Sequence, residues 1–173
     1  MKRIKIRKGQ HYPGIFPFSI PCPTWMGKNT TKTRTAEFMF TDTCLYDLQD
    51  EDQWDVNKLM GFSIGHHHKH SSFRLGWRPI LEGNLIEIVG YEYHDGIRQK
   101  TNPICKVPLN QWNKFKISYN NDRCRSTYVV NNITTVTSVF LAHDRGLGYR
   151  LGVYFGGNEK APHDIIINKR KLK

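Results

Sequence analysis

The sequence lacks any apolar run of the roughly 18–20 residues that a membrane-spanning helix requires. Its first residues, Met1 to Lys8, alternate isoleucine with lysine and arginine and contain no apolar segment typical of a secretory signal, so a complete chain is expected in the cytoplasm. Hydrophobic residues still make up 38% of the 173 residues. This composition excludes a disordered chain and predicts one folded domain over residues 1–173.

Acidic residues are scarce. Fifteen Asp and Glu stand against 26 Lys and Arg, so the formal net charge is +11 and the isoelectric point is near 9.6. This excess of positive charge favours anionic partners. The sequence contains no RRM, KH, zinc-finger or helix-turn-helix signature, so nucleic acid is not the expected partner.

Cysteine is also scarce, and no two cysteines form the CxxC pair of a zinc ribbon or a thioredoxin-like site. The cysteines are widely spaced and allow three disulfide pairings, among which the sequence does not choose. Because the chain shows no export signal, we expect free thiols that pack as small apolar groups. The residues concerned are Cys22, Cys44, Cys105 and Cys124.

Long helical periodicity is missing as well, and most of the chain alternates apolar and polar residues with a period of two. Turns rich in Gly, Asn and Asp separate these segments, for example at Asp95 and Gly96. The pattern predicts an all-β sandwich. The predicted strands span residues 3–8, 35–43, 58–65, 72–79, 84–93, 97–101, 114–119, 125–130, 133–139, 149–155 and 164–169.

Two segments depart from this alternation. Residues 9–32 contain four prolines and cannot form a regular inner strand, because proline removes a donor from the hydrogen-bond ladder. We therefore predict that this segment is an edge strand or a loop laid over the sandwich. Residues 47–55 are acidic in an otherwise basic chain, and we predict a loop that carries one helical turn.

Several stretches resemble a known superfamily. The segment Phe73 to Arg78, the strand Leu85 to Tyr93 and the turn that follows resemble the central hairpins of concanavalin A-like lectin/glucanase jelly rolls. The segment QWNKFKI, residues 111–117, resembles the W-x-x-F-x-I strand of these sandwiches, and residues 149–165 are similar to their closing strands. The resemblance implies a jelly roll of two curved antiparallel sheets, whose concave sheet often binds a glycan.

The catalytic motifs of this superfamily are not matched. The glucanase motif E-x-D-x-E has its nearest counterpart between Glu87 and Glu92, where the central Asp is missing and the two carboxylates lie on opposite faces. Alginate lyases carry an R-x-E-x-R strand together with Q-I-H and Y-x-K-x-G-x-Y, but here Gly76 replaces the glutamate between Arg74 and Arg78. These departures favour a non-catalytic, lectin-like protein. The alternative is a diverged polysaccharide lyase or glycoside hydrolase.

Alternation also predicts a candidate binding surface. If Phe73, Leu75 and Trp77 face the core, together with apolar positions of neighbouring strands such as Leu151, then arginines and tyrosines share the opposite face. Aromatic rings stack on sugars and arginine forks bind carboxylate or sulfate, so the predicted partner is a carbohydrate of the acidic polysaccharide class. The alternative is an ordinary solvated face on which a glutamate pairs with an arginine. The candidate binding residues are Arg74, Arg78, Glu87, Tyr91, Tyr93, Arg150 and Tyr154.

A lyase would need a group that neutralises the uronate, an acid and a base. Arg74 or Arg78 is the candidate neutralising group, and Tyr91 or Tyr154 is the candidate acid. The candidate bases are His163 and the histidines of residues 66–70.

Metal binding is not the expected role of the histidine-rich residues 66–70. They would bind Ni²⁺ or Zn²⁺ if offered, but an extended chain spreads neighbouring rings to opposite sides, so we expect a polar hairpin loop. No cofactor is predicted. Asn158 and Asp164 are oxygen donors for the structural calcium ion that some sandwiches of this type hold.

Basic residues gather at both ends of the chain. Termini of such jelly rolls pair on one sheet, so the resemblance implies that these charges merge into one basic stripe. A stripe of this kind would suit an interaction module that binds polyanions. The alternative is that lysines protect an exposed edge strand from aggregation. The residues are Lys2, Arg3, Lys5, Arg7, Lys8, Lys169, Arg170, Lys171 and Lys173.

Overall fold

A computed structural model describes residues 1–14, 22–26, 31–64, 69–120, 125–139 and 146–172, with side chains over residues 1–14, 31–64, 69–120, 125–135 and 148–172. Within these residues the chain forms thirteen strands and two 3-10 turns, at Asp42–Cys44 and Glu51–Trp54. The strands are β1 (Lys2–Ile6), β2 (Cys22–Met26), β3 (Thr31–Phe40), β4 (Asn57–Ile64), β5 (Ser71–Ile80), β6 (Leu85–His94), β7 (Ile97–Arg98), β8 (Asn102–Pro108), β9 (Asn113–Asn120), β10 (Arg125–Val130), β11 (Ile133–Val139), β12 (Gly146–Leu151) and β13 (Ile165–Arg170).

The strands form two antiparallel sheets. The six-stranded sheet has the order β1-β13-β3-β9-β10-β11, and the seven-stranded sheet has the order β2-β12-β4-β5-β6-β7, with β8 also pairing with β6. The predicted all-β sandwich is confirmed. The predicted helical turn in the acidic segment is the 3-10 turn at Glu51–Trp54. No helix in the described part of the chain has the length and apolar character to cross a membrane.

The core lies between the two sheets because the inward positions of the strands are apolar. Phe73, Leu75 and Trp77 of β5 are fully buried, as the alternation of that strand predicts. Aromatic pairs join the sheets: the ring centroids of Phe40 and Trp77 are 5.3 Å apart, and those of Phe73 and Tyr119 are 4.9 Å apart. The outward positions of β5 and β6 are thereby fixed on the opposite face of the seven-stranded sheet.

The structure corrects the sequence-based prediction at three strands. β3 begins at Thr31, so Thr31 and Lys32 belong to an inner strand and not to the proline-rich segment. The strand predicted over residues 149–155 is β12, which begins at Gly146 and ends at Leu151. β8 is an unpredicted strand, because the prolines near both of its ends obscure the alternation.

Part of the proline-rich segment is an edge strand, as predicted. β2 contains Pro23, lies at the end of the seven-stranded sheet and pairs with β12. An edge position tolerates a residue that cannot donate to the ladder. Residues 15–21 and 27–30 lie outside the described residues.

The strand β4 contains a bulge that changes which way its first residues face. Lys58 pairs with Gly76, whereas Met60 pairs with Leu75, so β4 advances two residues while β5 advances one. Leu59 and Met60 are consequently both buried in the core. Lys58 is placed on the outer face of the sheet, where regular alternation with Met60 would have pointed it inward.

Arg34 of β3 joins the six-stranded sheet to the underside of the seven-stranded sheet. Its guanidinium donates hydrogen bonds to the carbonyl oxygens of Gly61, at 2.7 Å, and Leu151. Its central carbon lies 5.9 Å from the centroid of the Phe62 ring. One side chain therefore binds the backbones of β4 and β12 at the same time.

The two basic termini share one sheet. β1 pairs with β13, and Lys2 lies opposite Lys169. The positive charge is partly offset, because Lys5 forms an ion pair with Asp164 at 2.6 Å and Arg170 pairs with Glu37.

Two of the cysteines are described with their side chains, and both are free. The Cys44 thiol is buried and donates a hydrogen bond to the carbonyl oxygen of Ile166, and burial raises its pKa to about 12. Cys105 is half-buried, and burial raises its pKa as well. Neither thiol has the environment of a reactive cysteine. Cys124 and the side chain of Cys22 lie outside the described residues.

Candidate functional site

A cleft of about 600 Å³ lies on the outer face of the seven-stranded sheet. Among the described residues, five cationic side chains and four tyrosines line the cleft. A single carboxylate from the same described part of the chain, that of Asp55, lines it as well. An excess of this kind in a concave site favours an anionic ligand. The cations are Lys58, Lys69, Arg74, Arg98 and Arg150, and the tyrosines are Tyr12, Tyr91, Tyr93 and Tyr154.

Arg74 on β5 is the most deeply placed arginine of the cleft. In the strand register, Arg74 lies opposite Tyr91 of β6 and opposite Gly61 of β4. Arg74 is 7% exposed. A Cβ atom at Gly61 would lie 2.7 Å from the Arg74 Cγ, so this glycine provides the space for the arginine. The Arg74 Nε is buried and has no hydrogen-bond partner among the described residues. Burial lowers the Arg74 pKa to about 10, so the side chain remains charged at neutral pH.

Lys58 on β4 lies beside this arginine and is 6% exposed. Its Nζ donates a hydrogen bond of 2.8 Å to the carbonyl oxygen of Gly156 and lies 4.7 Å from the Tyr91 ring centroid and 5.3 Å from that of Tyr154. Burial and the nearby charge of Arg74 lower the Lys58 pKa to about 7. A substantial fraction of the amine is therefore neutral near physiological pH, which is the condition for a lysine to accept a proton.

The tyrosines form two groups around these cations. Tyr91 meets Tyr93 edge-on at 5.8 Å, and the Arg98 guanidinium lies 5.4 Å from the Tyr91 ring centroid. Tyr154 stacks on His11. Burial raises the pKa of Tyr91, with a further contribution from its hydrogen bond to Tyr93. Burial also raises the pKa of Tyr154, so both phenols keep their protons at neutral pH.

The loop after β12 folds back and closes one side of the cleft. Its backbone is fixed to β4, because Gly156 donates a 2.6 Å hydrogen bond to the Asn57 side chain and Tyr154 forms a β-bridge with Lys58. A Cβ atom at Gly157 would lie 2.0 Å from an Asp55 carboxylate oxygen. Glycine at this position therefore allows the loop to approach the carboxylate.

The structure brings five of the seven candidate binding residues together around the cleft. These are Arg74, Tyr91, Tyr93, Arg150 and Tyr154. The other two do not line it. Arg78 and Glu87 lie farther along the same face of the sheet, where their side chains form an ion pair at 2.6 Å.

The assignment of β12 to faces is only partly as expected. The prediction that Leu151 faces the core is wrong, because Leu151 pairs with Gly61 and lies in the cleft wall. Arg150 lines the cleft although the register pairs it with core-facing Phe62. Regular pairing ends at Leu151, and this break explains why alternation through residue 155 is misleading.

Five charged or tyrosine residues of the cleft are missed by the sequence analysis: Tyr12, Asp55, Lys58, Lys69 and Arg98. The position of Lys58 could have been inferred from the sequence. Regular alternation would place Lys58 on the same inward face as Met60, and because a lysine is unfavourable there, the pattern indicates a bulge between them. The position of Arg98 could also have been inferred, because the predicted turn at residues 95–96 pairs Arg98 with Tyr93. No sequence pattern indicates the position of Tyr12, because its contact with Tyr154 joins distant parts of the chain.

Of the candidate metal donors, Asn158 lines the cleft and Asp164 does not, and neither of the described candidate bases, His70 and His163, lies there. His163 contacts the Thr43 carbonyl oxygen at 2.9 Å, and Asp164 accepts hydrogen bonds from Lys5 and from the Lys8 backbone. Residues 65–68 lie outside the described residues. No group of three His, Cys, Asp or Glu side chains in the described ranges is arranged to hold a metal ion. The expectations about cofactors stay predictions.

No protein-family model and no curated protein sequence matches the chain. Solved structures match it by fold. Alginate lyase AlyC3 aligns with a TM-score of 0.62 and 14% identity over 99% of this chain and 69% of the lyase. The same lyase in complex with dimannuronate aligns with a TM-score of 0.61 and 13% identity, over 87% and 65% of the two chains. An alginate lyase from Pseudomonas aeruginosa aligns with a TM-score of 0.59 and 10% identity, over 86% and 68%.

The chain thus spans about two thirds of the length of each of these lyases. At such low identity the likeness concerns the fold and not the activity. The chain has the concanavalin A-like jelly-roll fold that its sequence pattern resembles.

Proposed function

We propose that the cleft binds an acidic polysaccharide and that Arg74 holds a carboxylate of its uronate units. The observation that carries this proposal is a charged arginine that is 7% exposed in a cleft and whose buried Nε has no hydrogen-bond partner among the described residues. Burying a charge and leaving a donor unpaired both cost free energy. A ligand carboxylate would offset that cost with a charge-assisted hydrogen bond.

The other groups of the cleft suit the same ligand. Tyr91, Tyr93 and Tyr154 provide aromatic faces for pyranose rings, and Arg98 and Arg150 add positive charge. The fold is that of lyases that act on alginate, one of which binds dimannuronate in a solved structure. We therefore choose oligomers and polymers of mannuronate as the first probes, with hyaluronan and heparin as further uronate polymers.

Calorimetric titration of the wild-type protein with alginate tests the proposal, with Arg74→Gln as the main variant and Arg170→Gln as the matched control. Both changes remove one positive charge, but Arg170 is exposed and pairs with Glu37 on the six-stranded sheet. We expect Arg74→Gln to weaken binding roughly 10- to 100-fold, since it removes charged hydrogen bonds to the ligand. Arg170→Gln should change affinity less than about twofold.

A second variant covers the case in which Arg74→Gln fails to fold. Arg98 is exposed on the cleft rim, so Arg98→Gln preserves the buried floor and should still weaken binding roughly two- to fivefold. Absence of binding to alginate, hyaluronan and heparin by the wild-type protein would contradict the proposal. Equal losses in all three variants would also contradict it, because they would indicate diffuse attraction to the basic surface.

A second candidate function, cleavage of the bound polymer by β-elimination, is favoured by Lys58. The neutral amine of Lys58 would remove the C5 proton of a uronate whose carboxylate is held by Arg74. The electron pair of that C–H bond forms the C4–C5 double bond, and the C4–O bond to the leaving sugar breaks. Tyr154 or Tyr91 would donate its proton to the departing oxygen and recover one from water, while the lysine returns its proton to solvent.

The lyase function is tested by the ultraviolet absorbance of the unsaturated ends that this elimination creates. Because the Lys58 pKa is about 7, we expect the rate to rise with pH and to level off above about pH 8. Lys58→Arg keeps a cation that cannot act as a base, so it should abolish the absorbance increase while preserving binding. A wild-type protein that binds alginate without producing unsaturated ends would reject the lyase function and leave the binding function in place.

A further inference from the structure

Trp54 is an exposed aromatic residue on the face of the sheet that carries the cleft. Its side chain is 64% exposed, and it lies in the 3-10 turn directly before Asp55 of the cleft. The Arg78 guanidinium lies 5.5 Å from the Trp54 ring centroid and donates a long hydrogen bond, 3.4 Å, to the Trp54 carbonyl oxygen. An exposed indole at such a place offers an aromatic face on which a sugar ring can stack.

The arginine that contacts this tryptophan belongs to a row of charged residues across three strands. Arg78 of β5 pairs in register with Glu87 of β6, which in turn pairs with Lys106 of β8. Lys106 is exposed, and Glu87 is held by Arg78. We call Trp54, Arg78, Glu87 and Lys106 the distal patch. It combines an aromatic face with two cations and one paired carboxylate, and it borders the acidic turn of Asp50, Glu51 and Asp52 that carries Trp54.

The distal patch and the cleft lie along one line. Arg74 and Arg78 are four residues apart on β5 and point to the same face, so about 13 Å separates them. Between them, Val56 packs with Val89, and a Cβ atom at Gly76 would lie 2.3 Å from a Val56 methyl group. Both valines are almost fully buried, and Val56 covers the outer face of β5 at Gly76 between the two sites. A single sugar ring is too short to contact both sites.

The position of Trp54 does not depend on its own ring. Asp50 caps the turn by accepting a hydrogen bond from the Asp52 backbone, and the Gln53 side chain bonds to the Tyr46 carbonyl oxygen and the Leu48 amide. The backbone thus presents the indole to solvent in a defined place. Removing the ring should leave the fold intact.

We propose that the distal patch is a second sugar-binding subsite, in which Trp54 stacks on a pyranose and Arg78 and Lys106 attract its carboxylate. This inference rests on the proposed function of the cleft and adds the length of the ligand. The protein would bind a run of several sugars along β5, passing over the segment at Val56, rather than one sugar or a chain end. Long oligomers then gain contacts that short ones cannot make.

The test compares dimannuronate with hexamannuronate in calorimetric titrations of the wild-type protein, Trp54→Ala and Trp112→Ala. Trp112 is the matched control, because an arginine also covers its ring, Arg170 at 4.4 Å, but on the six-stranded sheet. We expect the wild-type protein to bind the hexamer at least tenfold more tightly than the dimer. Trp54→Ala should weaken hexamer binding roughly five- to tenfold and leave dimer binding unchanged. Trp112→Ala should change neither.

The outcomes separate the two proposals. If neither oligomer nor any longer uronate polymer binds the wild-type protein, the proposed function fails and the subsite with it. If both oligomers bind with equal affinity, or if Trp54→Ala binds the hexamer as the wild-type protein does, the distal subsite is wrong and the cleft proposal stands. A loss in Trp112→Ala as large as that in Trp54→Ala would also overturn the subsite.

Discussion

The cations of the cleft and those of the chain termini differ in what surrounds them. Lys58 and Arg74 are almost fully buried, and their pKa values are lowered by that burial. At the termini, Lys5 and Arg170 are exposed and pair with the carboxylates of Asp164 and Glu37. These partners hold the pKa of both carboxyl groups below its usual value, so each ion pair is intact at neutral pH.

The difference shows that net charge alone does not identify a binding site. The termini carry much of the positive charge of the sequence, but solvent screens it and acidic neighbours offset part of it. The cleft has fewer cations, but two of them, Lys58 and Arg74, are held where water cannot fully solvate them. The basic stripe therefore favours general attraction to polyanions, whereas the cleft favours a specific ligand.

The largest effect is expected from Gly61→Ala, which removes the space that the buried arginine occupies. The new Cβ would lie 2.2 Å from the Phe73 carbonyl oxygen and 2.7 Å from the Arg74 Cγ. We expect the free energy of unfolding to fall by about 1–3 kcal/mol, as chemical denaturation would show.

Gly152→Ala is the control for this prediction. Gly152 also lines the cleft, but a Cβ atom there would have no neighbour within 4 Å. Its stability should stay close to that of the wild-type protein. Equal stability of Gly61→Ala and Gly152→Ala would show that the Arg74 site has room to spare.

A smaller effect of opposite sign is expected from Lys58→Met. The lysine pKa is lower in the folded chain than its ordinary value of 10.5, so between pH 7 and 10.5 the unfolded chain binds more protons and wild-type stability rises with pH. Below pH 7 the full cost of charging the buried amine is present. Methionine avoids it and should raise the free energy of unfolding by about 1–2 kcal/mol at pH 6.

Thermal melts at pH 6 and pH 10 check this prediction, because the advantage of Lys58→Met should shrink as the pH rises. Lys160→Met serves as the control, since Lys160 is exposed. It should not stabilise the protein at either pH. A Lys58→Met protein that is less stable than the wild-type protein at pH 6 would mean that the contacts of the amine with Gly156 and the tyrosines outweigh its burial.

The smallest effect is expected at the exposed pair of Arg170 and Glu37. The lowered Glu37 pKa means that the pair adds stability above the ordinary glutamate pKa and loses it as the pH falls through the lowered value. Because the pair is exposed and screened, Glu37→Gln should leave the midpoint of thermal unfolding unchanged within error at pH 7. A clear drop in that midpoint would show that the ion pairs of the termini contribute to stability, which would contradict the proposed contrast with the buried cations of the cleft.

The sequence was sufficient for the parts of the molecule where strands are regular. Alternation in β5 places Phe73 inward and Arg74 outward. Alternation in β6 alone is ambiguous, because apolar residues occupy both faces of that strand, and the register with β5 is what places Tyr91 beside Arg74. Regular pairing then predicts which outward residues are neighbours. For the same reason Arg78 and Glu87 were correctly predicted to share this face, although they pair with each other outside the cleft.

Irregular backbone and distant contacts explain what could not be predicted. One extra residue in β4 turns Lys58 into a cleft residue, and the end of regular pairing after Leu151 reverses the assignment of that leucine. Tyr12 reaches Tyr154 across most of the length of the chain. Short-range sequence patterns contain no information about such long-range contacts. Side-chain burial, which lowers the Lys58 pKa, likewise depends on the assembled fold.

The position of Arg34 gives the six-stranded sheet an influence on a cleft that none of its described residues line. By binding the carbonyl groups of Gly61 and Leu151 from below, Arg34 fixes the spacing of the two strands that carry one side of the floor. A change at this half-buried side chain is therefore expected to move the floor of the cleft from the opposite sheet of the sandwich. Redesign of the cleft therefore has to consider both sheets together.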